Sequence, residues 1–314
     1  MKSAEGELLT NAADRLRLEI CEWFGTKSSE GVILAPGILV ALRLLFQSLN
    51  VRKLLITSSE YYEPRHFPGI ETQYCDPEDV PSISRQKNPD AVLMSVVSWR
   101  GRPLKVSDTF RRIVGTRNGS CPLLIADYAH AGAIGFPRID GLNADITAGD
   151  LSKWALPPGV GDNIAFLHIT NDKLRQQASD TFRPFYLGTT SSLDNSARWL
   201  PSSDVLAVQD WMTKQRMHRS DLLRQFKRNR KLATAIACSK GICVPSCIVW
   251  PARVTSVVAK LARRGLVWKR KDGVRVICRD LAPFTSPKKT SAKSARSNHN
   301  HKRVIRALRL APSE

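Results

Sequence analysis

A lysine and an upstream carboxylate carry the strongest chemical signal in this chain. Lys153 lies in the mostly uncharged segment Gly149-Asp150-Leu151-Ser152-Lys153-Trp154. Asp127 opens Asp127-Tyr128-Ala129-His130-Ala131-Gly132, directly after the apolar run Pro122–Ala126. A lysine in such a place can condense with a carbonyl to form an imine, leave as a neutral amine, and then act as a general base. A carboxylate about one strand and one turn earlier suits a group that must be kept cationic, because an opposite charge nearby stabilises the charged form. The plain alternatives stay open at this point: a solvated surface lysine, and an aspartate that caps a turn.

The elements that must position these residues follow from hydrophobic spacing. Residues 8–24 place apolar groups three and four apart, which predicts an amphipathic helix closed by Gly25. Val32-Ile33-Leu34 is a short apolar run that ends at Ala35-Pro36-Gly37, and Ile38 to Leu49 reads as a buried helix. A turn that opens a helix gathers free backbone N–H groups and the positive end of the dipole, and there a phosphate can bind. Lys53–Thr57, Ala91–Val97 and Pro122–Ala126 read as strands, with a helix over Val106–Val114 between the last two. Ile164–Ile169 is a further strand that could run antiparallel. Nearly continuous apolar strands alternating with helices predict an α/β fold, a mostly parallel sheet sandwiched by helices. Ligands of such sheets collect at the C-terminal ends of the strands, where Ser98, Asp127 and the segment leading to Lys153 arrive.

Further along, Asp204–Ala237 contains a long helical stretch rich in Lys and Arg. Ile242–Val249 reads as a strand, Arg253–Arg264 as a helix, and Leu266–Arg279 as two strands joined near Lys271-Asp272-Gly273, where Asp-Gly is a hairpin signal. This predicts a small C-terminal α+β domain. The expected division is 1–200 for the large domain, 201–284 for the linking helix and small domain, and 285–314 for a basic tail of disordered composition.

The 314 residues allow one large core and a smaller domain. Lacking an apolar run of about 18 residues or an apolar leader, the sequence points to a cytoplasmic protein with no membrane partner. The seven cysteines are odd in number and lie mostly in apolar runs, as buried reduced thiols do. Cys238, Cys243 and Cys247 do not have zinc-site spacing, and no metal is expected. The net charge of +20 is concentrated after Lys214, which favours non-specific contact with nucleic acid through the tail.

Four pieces, in order, resemble the class V aminotransferase family of fold-type-I pyridoxal-phosphate enzymes, in its isopenicillin N epimerase-like and kynureninase-like branch. They are Ala35-Pro36-Gly37 opening a helix, Ser59-Glu60-Tyr61-Tyr62, Asp127-Tyr128-Ala129-His130-Ala131-Gly132, and Asp150-Leu151-Ser152-Lys153-Trp154 with Pro157-Pro158-Gly159. The similarity spans roughly residues 10–280 and begins without the family's usual N-terminal strand and loop.

The resemblance implies pyridoxal 5'-phosphate as cofactor, an amino-acid substrate and a homodimer. Lys153 would be the Schiff-base lysine and Asp127 the partner of the pyridinium nitrogen. His130 would stand near the ring's phenolic oxygen, and Tyr61, or else Tyr62, would stack on the ring. Gly37 and Ile38 would offer N–H groups to the phosphate, Ser152 a hydroxyl, and Thr189, in Gly188-Thr189-Thr190, would reach the partner subunit's phosphate. Arg275 would hold the substrate carboxylate, with Arg279 as its rival. The implied activity is transamination, or lyase or epimerase chemistry. The alternative is a shortened, catalytically inactive relative with a binding role, its basic tail engaging nucleic acid.

Overall fold

The computed structural model describes residues 4–58, 60–98, 103–115, 121–131, 137–151, 164–182, 202–216, 220, 221, 224, 242–244, 247–250, 267–270 and 273–277. The chain divides into two compact units, Met1–Arg216 and Met217–Glu314.

In the first unit, helix α1 (Ala4–Phe24) leads through a short turn into β1 (Val32–Pro36) and α2 (Ile38–Ser48). Then come β2 (Lys53–Thr57), β3 (Glu71–Cys75), α3 (Val80–Lys87), β4 (Ala91–Ser95), α4 (Val106–Gly115) and β5 (Leu123–Asp127). Strands β6 (Ile146–Asp150) and β7 (Ile164–Ile169) follow, then α5 (Asp172–Phe182) and α6 (Ser202–Arg216). The expected helices at 8–24, 38–49 and 106–114 are all present. Gly25 ends α1 at φ 67°, with its N–H and that of Thr26 both donating to the Cys21 carbonyl. Only glycine adopts that conformation at low cost.

The seven strands form one sheet in the order β1-β7-β6-β5-β4-β2-β3. Neighbouring pairs from β6 to β3 are parallel, whereas β7 is antiparallel to both β6 and β1. The expectation of a mostly parallel sheet therefore holds, with one returning strand. That reversal has a geometric result: β1 points the same way as β6, and Asp150, Ala165 and Ala35 stand in register across the sheet. Ser95, Asp127 and Ala148 form a row of their own, which meets β6 two residues before Asp150. The start of α2 thus shares one edge of the sheet with the ends of β6, β5, β4 and β2.

The core explains why this edge is fixed. Strands β4, β6 and β7 are buried along their whole length, which suits a sheet covered on both faces. One face carries α2 and α5, through Ala41, Leu42, Leu45, Phe46 and Ala178, over Ile33, Leu54, Leu93, Ile125, Ile146 and Leu167. On α1, Phe24 stacks on Phe166 and meets Tyr128 edge-on. Trp23 stacks against Trp211 of α6, and Thr213 donates to Glu19. Gly149 lies directly under Phe166, so that an added Cβ would come 2.2 Å from the ring. Gly149→Ala is therefore expected to overpack β6 and β7, at a cost of about 1–3 kcal/mol. The measurement is the thermal midpoint of the apo protein, which should fall.

The second unit contains β8 (Ile242–Val244), β9 (Cys247–Trp250), β10 (Val267–Arg270) and β11 (Gly273–Ile277), in the order β10-β11-β9-β8, every pair antiparallel. The hairpin expected around Asp272-Gly273 is the β10–β11 pair. The single strand expected over Ile242–Val249 is instead two strands that pair with each other, Val244 opposite Cys247. Pro245 falls between them and has no N–H with which to continue a ladder.

Candidate functional site

Asp127 is the last residue of the central strand β5 and is 8% exposed. Its carboxylate is held from two sides. The Tyr62 hydroxyl donates to Oδ2 at 2.7 Å, and the Ala129 N–H donates to Oδ1 at 2.7 Å. The second contact is the local turn that an aspartate at a strand end makes with the backbone two residues on. The first crosses the site from the loop after β2. Tyr62 is 4% exposed, and burial, then the Asp127 charge, keep its phenol well above its ordinary pKa. It is therefore a neutral donor across the physiological range.

His130 lies three residues on, in the turn that follows β5, and is 9% exposed. That turn is pinned. Tyr128 N–H donates to the Ala148 carbonyl, its hydroxyl donates to the Pro137 carbonyl at 2.6 Å, and Ala131 N–H returns to the Tyr128 carbonyl. Asp150 ends β6 on the same edge and is also buried.

Residues 60–62 pack across the ends of β2 and β4. Glu60 is partly buried and accepts from three donors. The Thr57 hydroxyl reaches Oε1 at 2.6 Å, the Ser95 N–H reaches Oε1 at 2.8 Å, and the Ser95 hydroxyl bonds Oε2. Burial first, and then the Asp127 carboxylate, push its pKa up to about 7, against the three hydrogen bonds that pull it down. In the folded apo protein this carboxyl is harder to ionise than in the unfolded chain. Its proton is retained natively from about pH 4.5 up to about pH 7, while the unfolded chain has already lost it. Stability should thus fall as pH rises through that window and level off above it, by at most about 3 kcal/mol. Glu60→Gln should flatten this part of the pH–stability curve, read by urea unfolding from pH 4.5 to 8.

Gly37 is the N-cap of α2, at φ 89° and ψ 147°, and no side chain caps the helix. The first helical bond runs from Ala41 N–H to the Gly37 carbonyl, so the N–H groups of Ile38, Leu39 and Val40 have no partner within the helix. A non-glycine residue would be strained at this φ. These N–H groups and the positive helix end are donors that suit an anion such as a phosphate, while the buried carboxylate at the end of β5 is an acceptor that suits a cationic N–H.

The sequence-predicted residues are distributed as follows. Asp127, His130, Gly37 and Ile38 all arrive at the same sheet edge. Tyr61 is 46% exposed and stacks on His66 at 5.4 Å between ring centroids, while its neighbour Tyr62 takes the buried place against Asp127. Lys153, Ser152 and Thr189 lie outside the described residues, as does Arg279. Arg275 pairs with Val249 and Trp268 in the second unit's sheet. Two participants were not legible in advance. In the sequence Glu60 stands only as part of the Ser59–Tyr62 motif, and Ser95 only inside the apolar run Ala91–Val97. A Thr-x-x-Glu spacing at the end of an apolar strand, the pattern that also makes capping boxes, was the available signal for Glu60.

Among the described residues, no group of three His, Cys, Asp or Glu side chains is arranged to hold a metal ion, and no helix is long and apolar enough to cross a membrane.

No protein-family model matches the chain, and no curated protein matches it. Solved structures do. A ureidoglycine–glyoxylate aminotransferase from Bacillus subtilis is 14% identical with a TM-score of 0.64, over 95% of this chain and 84% of the other. An aspartate aminotransferase of subgroup IV from Thermus thermophilus is 15% identical with a TM-score of 0.65, over 98% of this chain and 91% of the other. C-DES, solved as a mutant with glycine covalently linked to its PLP cofactor, is 12% identical with a TM-score of 0.64, over 97% of this chain and 88% of the other. At such identities the likeness is one of fold: a mixed α/β architecture with a mostly parallel seven-stranded sheet, as in these aminotransferase structures.

Proposed function

We propose that the chain is a pyridoxal-phosphate-dependent enzyme acting on an amino acid, by transamination or by lyase or epimerase chemistry, as a homodimer. The observation that carries this reading is the setting of Asp127. It is a buried carboxylate at the end of the central strand, held by one phenol and one backbone N–H, on the edge that also presents the uncapped start of α2. The fold is shared with aminotransferases, and one structure of that fold holds its amino acid on the cofactor.

In this reading the bound pyridoxal ring supplies an electron sink for the bonds at the substrate's Cα. The protein supplies position and charge. Asp127 holds the proton on the ring nitrogen by a charge-assisted hydrogen bond, and Tyr62 and the Ala129 N–H keep that carboxylate aimed. The N–H groups at the start of α2, with the Ser152 hydroxyl, would bind the phosphate, and Thr189 would be the residue for that of the partner subunit. His130 would be the group for the ring oxygen, and Tyr61, which stacks on His66 in this structure, would have to turn inward to cover a ring face. Lys153 would be the residue that holds the cofactor through its amine, and its free amine would be the base for the Cα proton. Arg275, by the family resemblance, would be the residue for the substrate carboxylate, which a planar guanidinium suits.

The direct test is a spectrum. The full-length protein, purified with pyridoxal phosphate, should show an absorbance band at the edge of the visible that borohydride removes. If no such band forms at any pH between 6 and 9, the reading is wrong.

A further inference from the structure

We infer that Glu60 is a second, proton-exchanging carboxylate of the site, which loses its proton when a cationic ring nitrogen is seated at Asp127 and so makes cofactor binding tighten with pH. The inference rests on the proposed cofactor.

The geometry is a row across three strand ends. The Glu60 carboxyl lies over the end of β2 and is bonded by Thr57. It is fixed to the end of β4 by both the N–H and the hydroxyl of Ser95. Ser95 stands in register with Asp127 on β5. Between the two acidic groups runs Tyr62, two residues from Glu60 and donating to Asp127. The groups that face this cluster are thus Thr57 from β2, Ser95 from β4, Asp127 from β5 and Tyr62 from the loop, with Asp150 from β6 acting on Tyr62. None of the described groups that act on Glu60 is a cation.

Two acidic groups this close disfavour each other's charge, and a cation placed beside them removes that penalty. The three donors to Glu60 are already in position to hold an anion, so the carboxyl needs no rearrangement to ionise, only a compensating positive charge nearby. In the apo protein burial and the Asp127 charge place its titration at about 7, where a small change in field changes its charge. A ring cation on Asp127 would lower that value, so the complex holds fewer protons than the apo protein near neutrality. By linkage, affinity then rises with pH through the apo value. A drop of one unit corresponds to a tenfold gain in affinity across the transition.

Glu60 acts here through Asp127, which makes it a positioning and charge-setting residue rather than a catalytic one. A merely structural Glu60 would change affinity equally at every pH.

The experiment compares pyridoxal-phosphate affinity of the full chain and of Glu60→Gln from pH 6 to 8.5, read by quenching of tryptophan fluorescence. The cofactor's own phosphate and the lysine titrate in both proteins and cancel in the ratio. The expected ratio rises about tenfold in favour of the wild type, with its midpoint near pH 7. With the deaza analogue, in which CH replaces the ring nitrogen, the ratio should be flat. Ser95→Ala removes one donor to the Glu60 anion, so its midpoint should move to higher pH; this variant decides the matter if Glu60→Gln does not fold. Binding with a flat ratio, an unshifted midpoint in Ser95→Ala, or the same slope with the deaza analogue would each overturn the role of Glu60 and leave the cofactor reading intact. No binding of pyridoxal phosphate by the wild type at any pH would overturn both.

Discussion

Lys153→Ala is expected to lose the imine absorbance, leaving only that of the free aldehyde when cofactor is bound, and to lose turnover by several orders of magnitude. The amine is the only group in the proposed site that can bind the cofactor covalently and also move the Cα proton, so its removal deletes two steps at once. In the proposed site most phosphate and ring contacts would survive the substitution, since those from α2, β5 and the loop after β2 do not involve Lys153. The variant should therefore still bind pyridoxal phosphate, now released by dialysis, and borohydride should leave no label on the protein. Mass spectrometry after borohydride treatment checks this directly. An imine band and a label that persist in Lys153→Ala would place the covalent link on another lysine.

Asp127→Asn should have the second largest effect. The substitution keeps the shape but removes the charge that would face the ring nitrogen, and its single amide oxygen can accept from the Ala129 N–H or from the Tyr62 hydroxyl but not from both. Hydrogen bonds to charged groups contribute about 1.5–3 kcal/mol, which corresponds to a loss of affinity of about 10- to 100-fold. Turnover should fall further than affinity, since a ring without its proton is a poorer electron sink. The same change removes the charge that raises Glu60, whose titration should move down in the apo protein. Titration of cofactor into the variant gives the first quantity, and carboxyl carbon NMR of the apo variant gives the second.

Much of the sheet could be read from the chain alone, for a reason visible in β4 and β5. A strand buried on both faces must be nearly all apolar, and Ala-Val-Leu-Met and Leu-Leu-Ile-Ala announce themselves. By contrast, β3 is Glu-Thr-Gln-Tyr-Cys at the sheet's edge, partly or wholly exposed along its length, and has no such pattern to show. β6 is buried but built of Ile-Thr-Ala-Gly-Asp, small residues required by the Phe166 ring above Gly149, so its burial leaves little apolar mark.

The site divides the same way. Asp127 was legible because it follows an apolar strand at once. The contacts of Glu60 were not, because Ser95 is 35 residues away and becomes its neighbour only once β2 and β4 lie side by side. Residue type suggested an aromatic at 61 or 62, but only packing separates them: Tyr62 turns inward to Asp127, and Tyr61 outward to His66.

The returning strand β7 also sets the order in which this protein can be built. Val32 pairs with His168 and Pro36 with Ile164, so β1 is synthesised long before β7, its one neighbour in the sheet among the described residues. The nascent chain can zip β2, β3, β4, β5 and β6 in parallel as they appear, while β1 and α2 wait with an apolar surface exposed. Such distant pairing makes folding slow and leaves a window for aggregation. The turn at Gly37, between β1 and α2, is therefore made before β7 and locked only after β7 has formed, so a cofactor bound in the proposed site would meet a finished turn only late in folding. Destabilised variants of β7 should accordingly be rescued by chaperones during synthesis more than by added cofactor.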